Sequence, residues 1–366
     1  MTWFRSLRWC SLFFFFLLIS SLPGTSALAQ DDPAARAHEL FHAEKWSELV
    51  QLVDRVPNRS ADLDYEYGLA LAHLERWDDA RRALLAGHRL LPRDKRFPIE
   101  LAGVAFKQKN YPQVIAWLHR ALRLDPADGY ANDFLGTTYF LQGNLEAAVK
   151  YWEHAGKPRI ADLRNEPPLR VRPALLDHAI AFSSESALRL DDLLASRARL
   201  DQLEIFPTYR FELAAREDGR FDSIFHAHEL NGFGSGKLDT ALRLLRGLPF
   251  QEITPEYYNL GGRALNVVSL LRWDAEERRA SAAISTPVFH SPQWRFRISA
   301  GLRNENWDIR NGFTGPAPVL ASLNMRKEEA GAEVTRLMGW RWRWSVGVEL
   351  SHRDYRGVVP GTALTP

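Results

Sequence analysis

The chain has 366 residues, with 47 Lys and Arg against 45 Asp and Glu, and a single cysteine, Cys10. A formal charge of +2 excludes a protein that holds nucleic acid by bulk charge, and one cysteine excludes a disulfide framework. The length predicts two or three domains. Residues 1–29 read as a secretory signal peptide. Arg5 and Arg8 form a basic leader, residues 11–22 are an apolar run containing Phe13, Phe14, Phe15 and Phe16, and Ala27-Leu28-Ala29 is a small-x-small cleavage site. The run is short for a membrane span, although an uncleaved anchor is the alternative. Cys10 precedes the run and is misplaced for lipid attachment at the cleavage point. Cleavage removes it together with two arginines, so the mature chain is predicted to have no thiol and a charge near zero.

Residues 30–162 are organised by a 34-residue period, with clear copies at 61–94, 95–128 and 129–162. Trp77, Tyr111 and Leu145 are equivalent, as are Ala80, Val114 and Ala148, and Leu84, Leu118 and Trp152. Pro92 and Pro126 continue the pattern, and the third copy departs from it with Ile160. Within each copy the apolar positions fall at helical spacing, predicting two amphipathic helices. Gly143-Asn144 makes the turn in the third copy, with Asn144 as a helix cap. A fixed period of this length predicts stacked units that share a continuous core.

This pattern resembles the tetratricopeptide repeat (TPR), and a partial copy at 34–55, with Trp46 in the place of Trp77, precedes the three. The resemblance implies an α-solenoid that binds a protein or peptide along its concave face. Tyr65, Leu69, His73, Ile99, Phe106, Tyr130, Asp133 and Phe140 are expected to line that groove. The competing reading makes several of them packing between repeats.

Residues 163–173 are predicted to be a linker, because Pro167, Pro168 and Pro173 lie among Arg164, Arg170 and Arg172. Residues 174–236 then read as a small α/β module: a strand over 174–182, a helix over 187–203, a strand over 205–214, a turn at Asp218-Gly219, and a strand over 221–230. Residues 231–236 end it in a glycine-rich loop. This order resembles a reduced POTRA domain, the periplasmic module that precedes the barrel in BamA-type outer-membrane proteins. That domain's usual second helix is not evident in the sequence.

Residues 237–366 are predicted to be an antiparallel β-region after a short helix at 238–246. Trp340, Trp342, Trp344, Val346, Val348 and Leu350 alternate with Arg341, Arg343, Ser345, Gly347 and Glu349. Trp294, Phe296, Ile298, Ala300 and Leu302 alternate with Arg295, Arg297, Ser299 and Gly301. A period of two puts the apolar side chains on one face and the arginines on the other. Strands of this length with aromatic ends are those of a membrane barrel. Weaker strands are read at 265–273, 279–288, 319–325 and 332–338, with residues 276–279 as a hairpin turn. Residues 255–260 and 302–308 resemble the opening of the barrel in surface-antigen proteins of BamA-like type. Five or six strands are fewer than the roughly eight of the smallest closed single-chain barrels. The region is therefore expected to be a truncated barrel, a sheet closed by oligomerisation, or an ordinary soluble sheet.

Chemistry is not nominated. The stretch 232–237 lacks both the first glycine and the final Ser or Thr of a phosphate loop. His226 and His228 share a strand face without a placed third ligand. No catalytic set, cofactor or metal is expected. The fold class expected is multidomain, α then β: a TPR solenoid, a POTRA-like module and an incomplete membrane-barrel sheet. The function expected is a non-catalytic envelope scaffold for outer-membrane assembly or translocation, exported to the outer membrane with a periplasmic N-terminal part. Arg295, Arg297, Arg341 and Arg343 are expected to face the barrel lumen. The alternatives are an exopolysaccharide export porin with a periplasmic TPR domain, and a soluble periplasmic interaction protein.

Overall fold

The computed structural model describes residues 33–233, 237–310 and 319–357. The leader, the residues after 357 and the glycines of the 234–236 loop lie outside the described residues. The chain divides into two compact units, Met1–Arg93 and Asp94–Pro366.

The first unit holds α1 (Pro33–His42), α2 (Trp46–Val53), α3 (Ala61–His73) and α4 (Trp77–Leu90). Ser60 caps α3, its Oγ accepting from Leu63 N at 3.2 Å. Leu71 and Leu84 are fully buried, and Gly68 lets α3 and α4 close up: a Cβ there would lie 2.7 Å from Leu84 Cγ. Tyr67 is buried and donates to Asp54, and burial together with that bond pushes its phenol up to about 12.

The second unit opens with two further helix pairs, α5 (Arg96–Lys107) with α6 (Tyr111–Leu124), and α7 (Gly129–Leu141) with α8 (Leu145–Trp152). Asn110, Asp128 and Asn144 cap α6, α7 and α8 through Gln113 N, Ala131 N and Ala147 N. The second helix of each of the four pairs is preceded by a residue in the left-handed region two positions earlier: Glu44, Glu75, Lys109 and Gly143, with φ of 56°, 59°, 56° and 76°. Only the last is glycine. Side chains in this region cost roughly 1 kcal/mol or more. Lys109→Gly is therefore expected to raise stability by about 0.5–1 kcal/mol, read as a higher denaturation midpoint.

The α/β module follows directly: β1 (Ile160–Glu166), α9 (Pro173–Ala179), α10 (Leu190–Leu203), β2 (Thr208–Ala215) and β3 (Phe221–His228). The sheet order is β1-β3-β2, with β1 parallel to β3 and β2 antiparallel to it. Two expectations are corrected here. The strand read over 174–182 is helix α9, with Pro173 at its first turn and Leu175, Leu176 and Ala179 buried on one side. The linker read over 163–173 contains the second half of a strand, since β1 runs to Glu166. The module thus keeps three strands, with β1 in place of the one read over 174–182, and gains a second helix.

One core joins the last repeat to this module. Trp152, Val149 and Ala148 of α8 pack with Ile160, Leu193, Leu200 and Phe225. Trp152 and Phe140 both meet the Phe221 ring, with centroids 5.6 and 5.9 Å apart. Arg197 of α10 pairs with Glu146 of α8. The Tyr209 hydroxyl donates to Asp201 at 2.7 Å, and burial and this bond hold its phenol well above the usual value.

After α11 (Lys237–Gly247), a sheet is built from β4 (Glu252–Ile253), β5 (Glu256–Tyr257), β6 (Asn266–Trp273), β7 (Glu277–Val288), β8 (Ser291–Arg310), β9 (Val319–Met338) and β10 (Trp342–Arg356). The order is β10-β9-β8-β7-β6-β4, all antiparallel, with β5 also on β6. The stretches 319–325 and 332–338 are one continuous strand. Residues 277–279, read as a turn, open β7; the turn is Asp274–Glu276, where Asp274 Oδ1 accepts from Glu276 N at 2.9 Å. Trp340 and Arg341 lie in the turn before β10 and not on it.

Candidate functional site

The two faces of the large sheet differ in chemistry and in exposure. Successive rows across β7, β8, β9 and β10 read Thr286-Phe296-Val334-Val346, Ile284-Ile298-Ala332-Val348 and Ala282-Ala300-Ala330-Leu350 on one face. This face is the open one: Leu302 is 59% exposed, Val346 66% and Leu350 73%. The opposite face carries Ser285-Arg297-Glu333-Gly347, Ala283-Ser299-Gly331-Glu349 and Ser281-Gly301-Glu329-Ser351. It is the more enclosed one over β7, β8 and β9, where Arg295 and Glu305 are each 5% exposed, whereas on β10 both faces are exposed. Small residues give it room: a Cβ on Gly301 would lie 2.7 Å from Glu329 Oε1, and one on Gly331 3.1 Å from Ser299 Oγ. This is the reverse of a water-soluble sheet, which hides its apolar face.

The apolar band has ends. Trp294 and Trp344 meet edge-on at 5.8 Å at one of them, with Arg336 over the Trp294 ring at 4.6 Å. At the other, beyond Leu302, the same face turns polar with Arg278, Asn304, Arg326 and Asp354, and Trp273 stands beside them. From Trp294 to Leu302 the band spans roughly 27 Å along the strand, or about 20 Å at a ~40° tilt, close to the apolar band of membrane barrels. Among the described residues no helix is long and apolar enough to cross a membrane.

The α/β module is clamped to the Trp294 end. Arg295, expected to face a lumen, lies on the enclosed face but is closed over by the end of α10. Its guanidinium donates to Gln202 O at 2.8 Å, Leu203 O at 3.1 Å and Ser285 Oγ at 2.7 Å, and pairs with Glu204 at 2.8 Å. A helix C-terminus carries partial negative charge and unsatisfied carbonyls, so a buried guanidinium fits there. A second clamp centres on Asn259, which is buried and donates to Glu229 Oε1 at 2.7 Å and Asn231 Oδ1 at 2.8 Å. Glu229 also accepts from Arg170 N and Val171 N, and Asn266 donates to Leu203 O at 3.2 Å. The hairpin turns dock too: His178 of α9 lies 3.1 Å from His290 O, and Trp340 Nε1 donates to Asp191 Oδ1 at 2.9 Å.

The other expected lumen residues are placed differently from one another. Arg297 is exposed on the enclosed-face side of β8, and Arg343 is exposed on the same face of β10. Arg341 lies in the turn, over the Trp340 ring at 4.6 Å.

The expected groove residues also separate. In the first unit Tyr65 and Leu69 are half-buried, and His73 is exposed and stacked on Trp46 at 4.2 Å. In the second unit Ile99 and Phe106 pack against the core between α5, α6 and α7, and Phe140 packs against Trp152 and Phe221. Asp133 accepts from Lys157 Nζ at 2.9 Å. Among the groove residues of this unit Tyr130, 66% exposed, is the one left most open to a partner. His226 pairs with Glu212 at 3.1 Å, and no group of three or more ligating side chains among the described residues is placed to hold a metal.

No protein-family model matches the chain, and no curated protein matches it. Solved structures are similar over about a third of it. A crystal structure of MamA shares 17% identity over 34% of this chain and 74% of its own, with a TM-score of 0.33. YrrB, described as a TPR protein with an unusual peptide-binding site, shares 20% over 34% and 69%, with a TM-score of 0.32. MamA from Desulfovibrio magneticus RS-1 shares 22% over 35% and 76%, with a TM-score of 0.31. Likenesses of this size carry no functional weight.

Proposed function

We propose that this chain is a non-catalytic envelope protein, exported by its leader, in which TPR-like helix pairs take a protein or peptide partner and the C-terminal sheet belongs to an outer-membrane barrel. The observation that carries the reading is the inversion of the sheet over β7, β8 and β9, with the apolar face open and the polar, charged face the more covered of the two. An open apolar face of three full rows is unfavourable in water and is solvated by lipid. The module's order of strand, two helices and two strands supports a POTRA-like element at the periplasmic end. Its clamps make the repeats, the module and the strands mechanically continuous within the second unit, which suits relaying a captured partner toward the membrane.

The test is fractionation of the full chain expressed with its leader in a two-membrane bacterium, followed by gel mobility with and without heating. Recovery in the outer membrane with a heat-dependent shift is the expected result. Recovery in the soluble periplasm sinks the barrel and leaves an interaction protein.

A further inference from the structure

Cross-strand register brings five cations into one row. Arg272 on β6 stands opposite Arg279 on β7, Arg279 opposite Arg303 on β8, Arg303 opposite Lys327 on β9, and Lys327 opposite Arg353 on β10. All five belong to the enclosed-face register. Like charges directly opposite one another destabilise a sheet, so four such pairs in succession are a cost to folding alone.

Acids offset part of that cost. Arg272 pairs with Asp274 and, at 3.1 Å, with Glu277; Arg303 pairs with Glu305 and, at 3.0 Å, with Glu277. Lys327 pairs with Glu329 and reaches Glu349 at 3.7 Å. Arg279 and Arg353 form no ion pair within 4 Å among the described residues, although Arg279 stands between two other guanidinium-bearing positions and, after Lys327, adds a longer-range attraction for the Glu329 carboxylate. The row is level with Ala280, Leu302, Glu328 and His352, where the apolar band of the other face ends. It therefore lies at the end of the apolar band farthest from the α/β module, with β8 and β9 running on beyond it to Arg310 and Val319.

The geometry points to a binding rung for a polyanion, one that presents several phosphate, sulfate or carboxylate groups in succession. Neighbouring strands are about 4.8 Å apart, so five cations span roughly 19 Å, longer than a single oxyanion can bridge. Rings of Arg and Lys are the means by which pores select anions. As a lumenal rung the site rests on the reading that the enclosed face lines a barrel; as a binding site it rests on the register alone. The acids already paired with the row, Asp274, Glu277, Glu305, Glu329 and Glu349, compete with a polyanion for the cations and keep the rung from holding its cargo irreversibly, as passage requires.

The test measures binding of tripolyphosphate and of inorganic phosphate to the purified full chain in detergent at low salt, by calorimetry. Arg279→Gln with Arg353→Gln removes the two cations without ion-pair partners. Arg278→Gln with Arg326→Gln removes the same charge from the opposite face and is the matched control. Tripolyphosphate is expected to bind more tightly than phosphate, and the rung double variant to weaken it at least tenfold while the control changes it less than twofold. The rung variant is also expected to melt higher than the unsubstituted chain without anion, and to lose the rise in Tm that tripolyphosphate induces. Absence of tripolyphosphate binding, equal losses in both double variants, or phosphate binding as tightly as tripolyphosphate each overturns the proposal. Because the assay is in detergent, its outcome is separate from fractionation: soluble recovery with rung-specific binding would sink the barrel and leave the site.

Discussion

Ile298→Arg combined with Val348→Arg is expected to remove the chain from the outer membrane. Both side chains lie in one row of the apolar face, Ile298 and Val348 each opposite Ala332, and both are exposed. An arginine near the middle of the lipid band costs about 2–4 kcal/mol, so two cost about 4–8 kcal/mol, comparable to the whole stability of a domain. The matched control is Ser299→Arg with Ser345→Arg, one and three residues from those positions and on the opposite face, with Ser299 half-buried and Ser345 exposed. That variant keeps the lipid face intact and is expected to fractionate like the unsubstituted chain. For a sheet bathed in water the ordering reverses: charges added to an exposed face change stability by only about ±0.5 kcal/mol, while the charge added at half-buried Ser299 is the costly one. Outer-membrane recovery of each variant after urea washing separates the two cases, and unchanged recovery of the Ile298/Val348 pair would refute a lipid-facing band.

What was legible in the sequence was whatever repeats with a physical period. The helix pairs were, because Trp77, Tyr111 and Leu145 open α4, α6 and α8 at equal spacing. The alternating cores of β8 and β10 were, but only inside the apolar band. Beyond Leu302, β8 continues through Asn304, Glu305 and Asn306 to Arg310, where both faces are polar and alternation has nothing to report. The same loss split β9 into two apparent strands around Arg326–Glu329. Strand β1 was hidden for a related reason: Asp162, Arg164, Asn165 and Glu166 make it a polar edge strand whose composition imitates a linker. Helix α9 was misread because a short apolar run such as 174–182 fits either period, and Pro173 at its first turn decides for helix. The cationic row could not be read at all. Arg272, Arg279, Arg303, Lys327 and Arg353 are scattered over some eighty residues, and only the register of four strand pairs aligns them. Arg295 failed in the opposite way: its face was legible, but the helix end that covers it comes from a segment ninety residues earlier.

Arg295→Leu is expected to loosen the α/β module from the sheet and to cost about 3 kcal/mol. The guanidinium serves two carbonyls at the end of α10, the Ser285 hydroxyl and the Glu204 carboxylate at once. Removing one partner of a buried pair costs about 3–5 kcal/mol, because the groups left behind stay desolvated. Glu204 is about half exposed and regains water, which places the loss at the low end. Arg295→Lys is expected to recover less than half of it, since one ammonium cannot reach acceptors that a planar fork meets on two sides. The effect should be local in kind. Residues 204–207, between α10 and β2, are expected to become the first site of limited proteolysis, while the helix pairs keep their protection. A double-mutant cycle with Glu204→Gln reads the coupling: an interaction energy near zero would mean that the carboxylate contributes nothing and that Arg295 acts through the carbonyls alone. A variant that melts with the unsubstituted chain and resists protease equally would show that the module is held by Asn259, Asn266 and Glu229, and that the buried arginine is dispensable to the clamp.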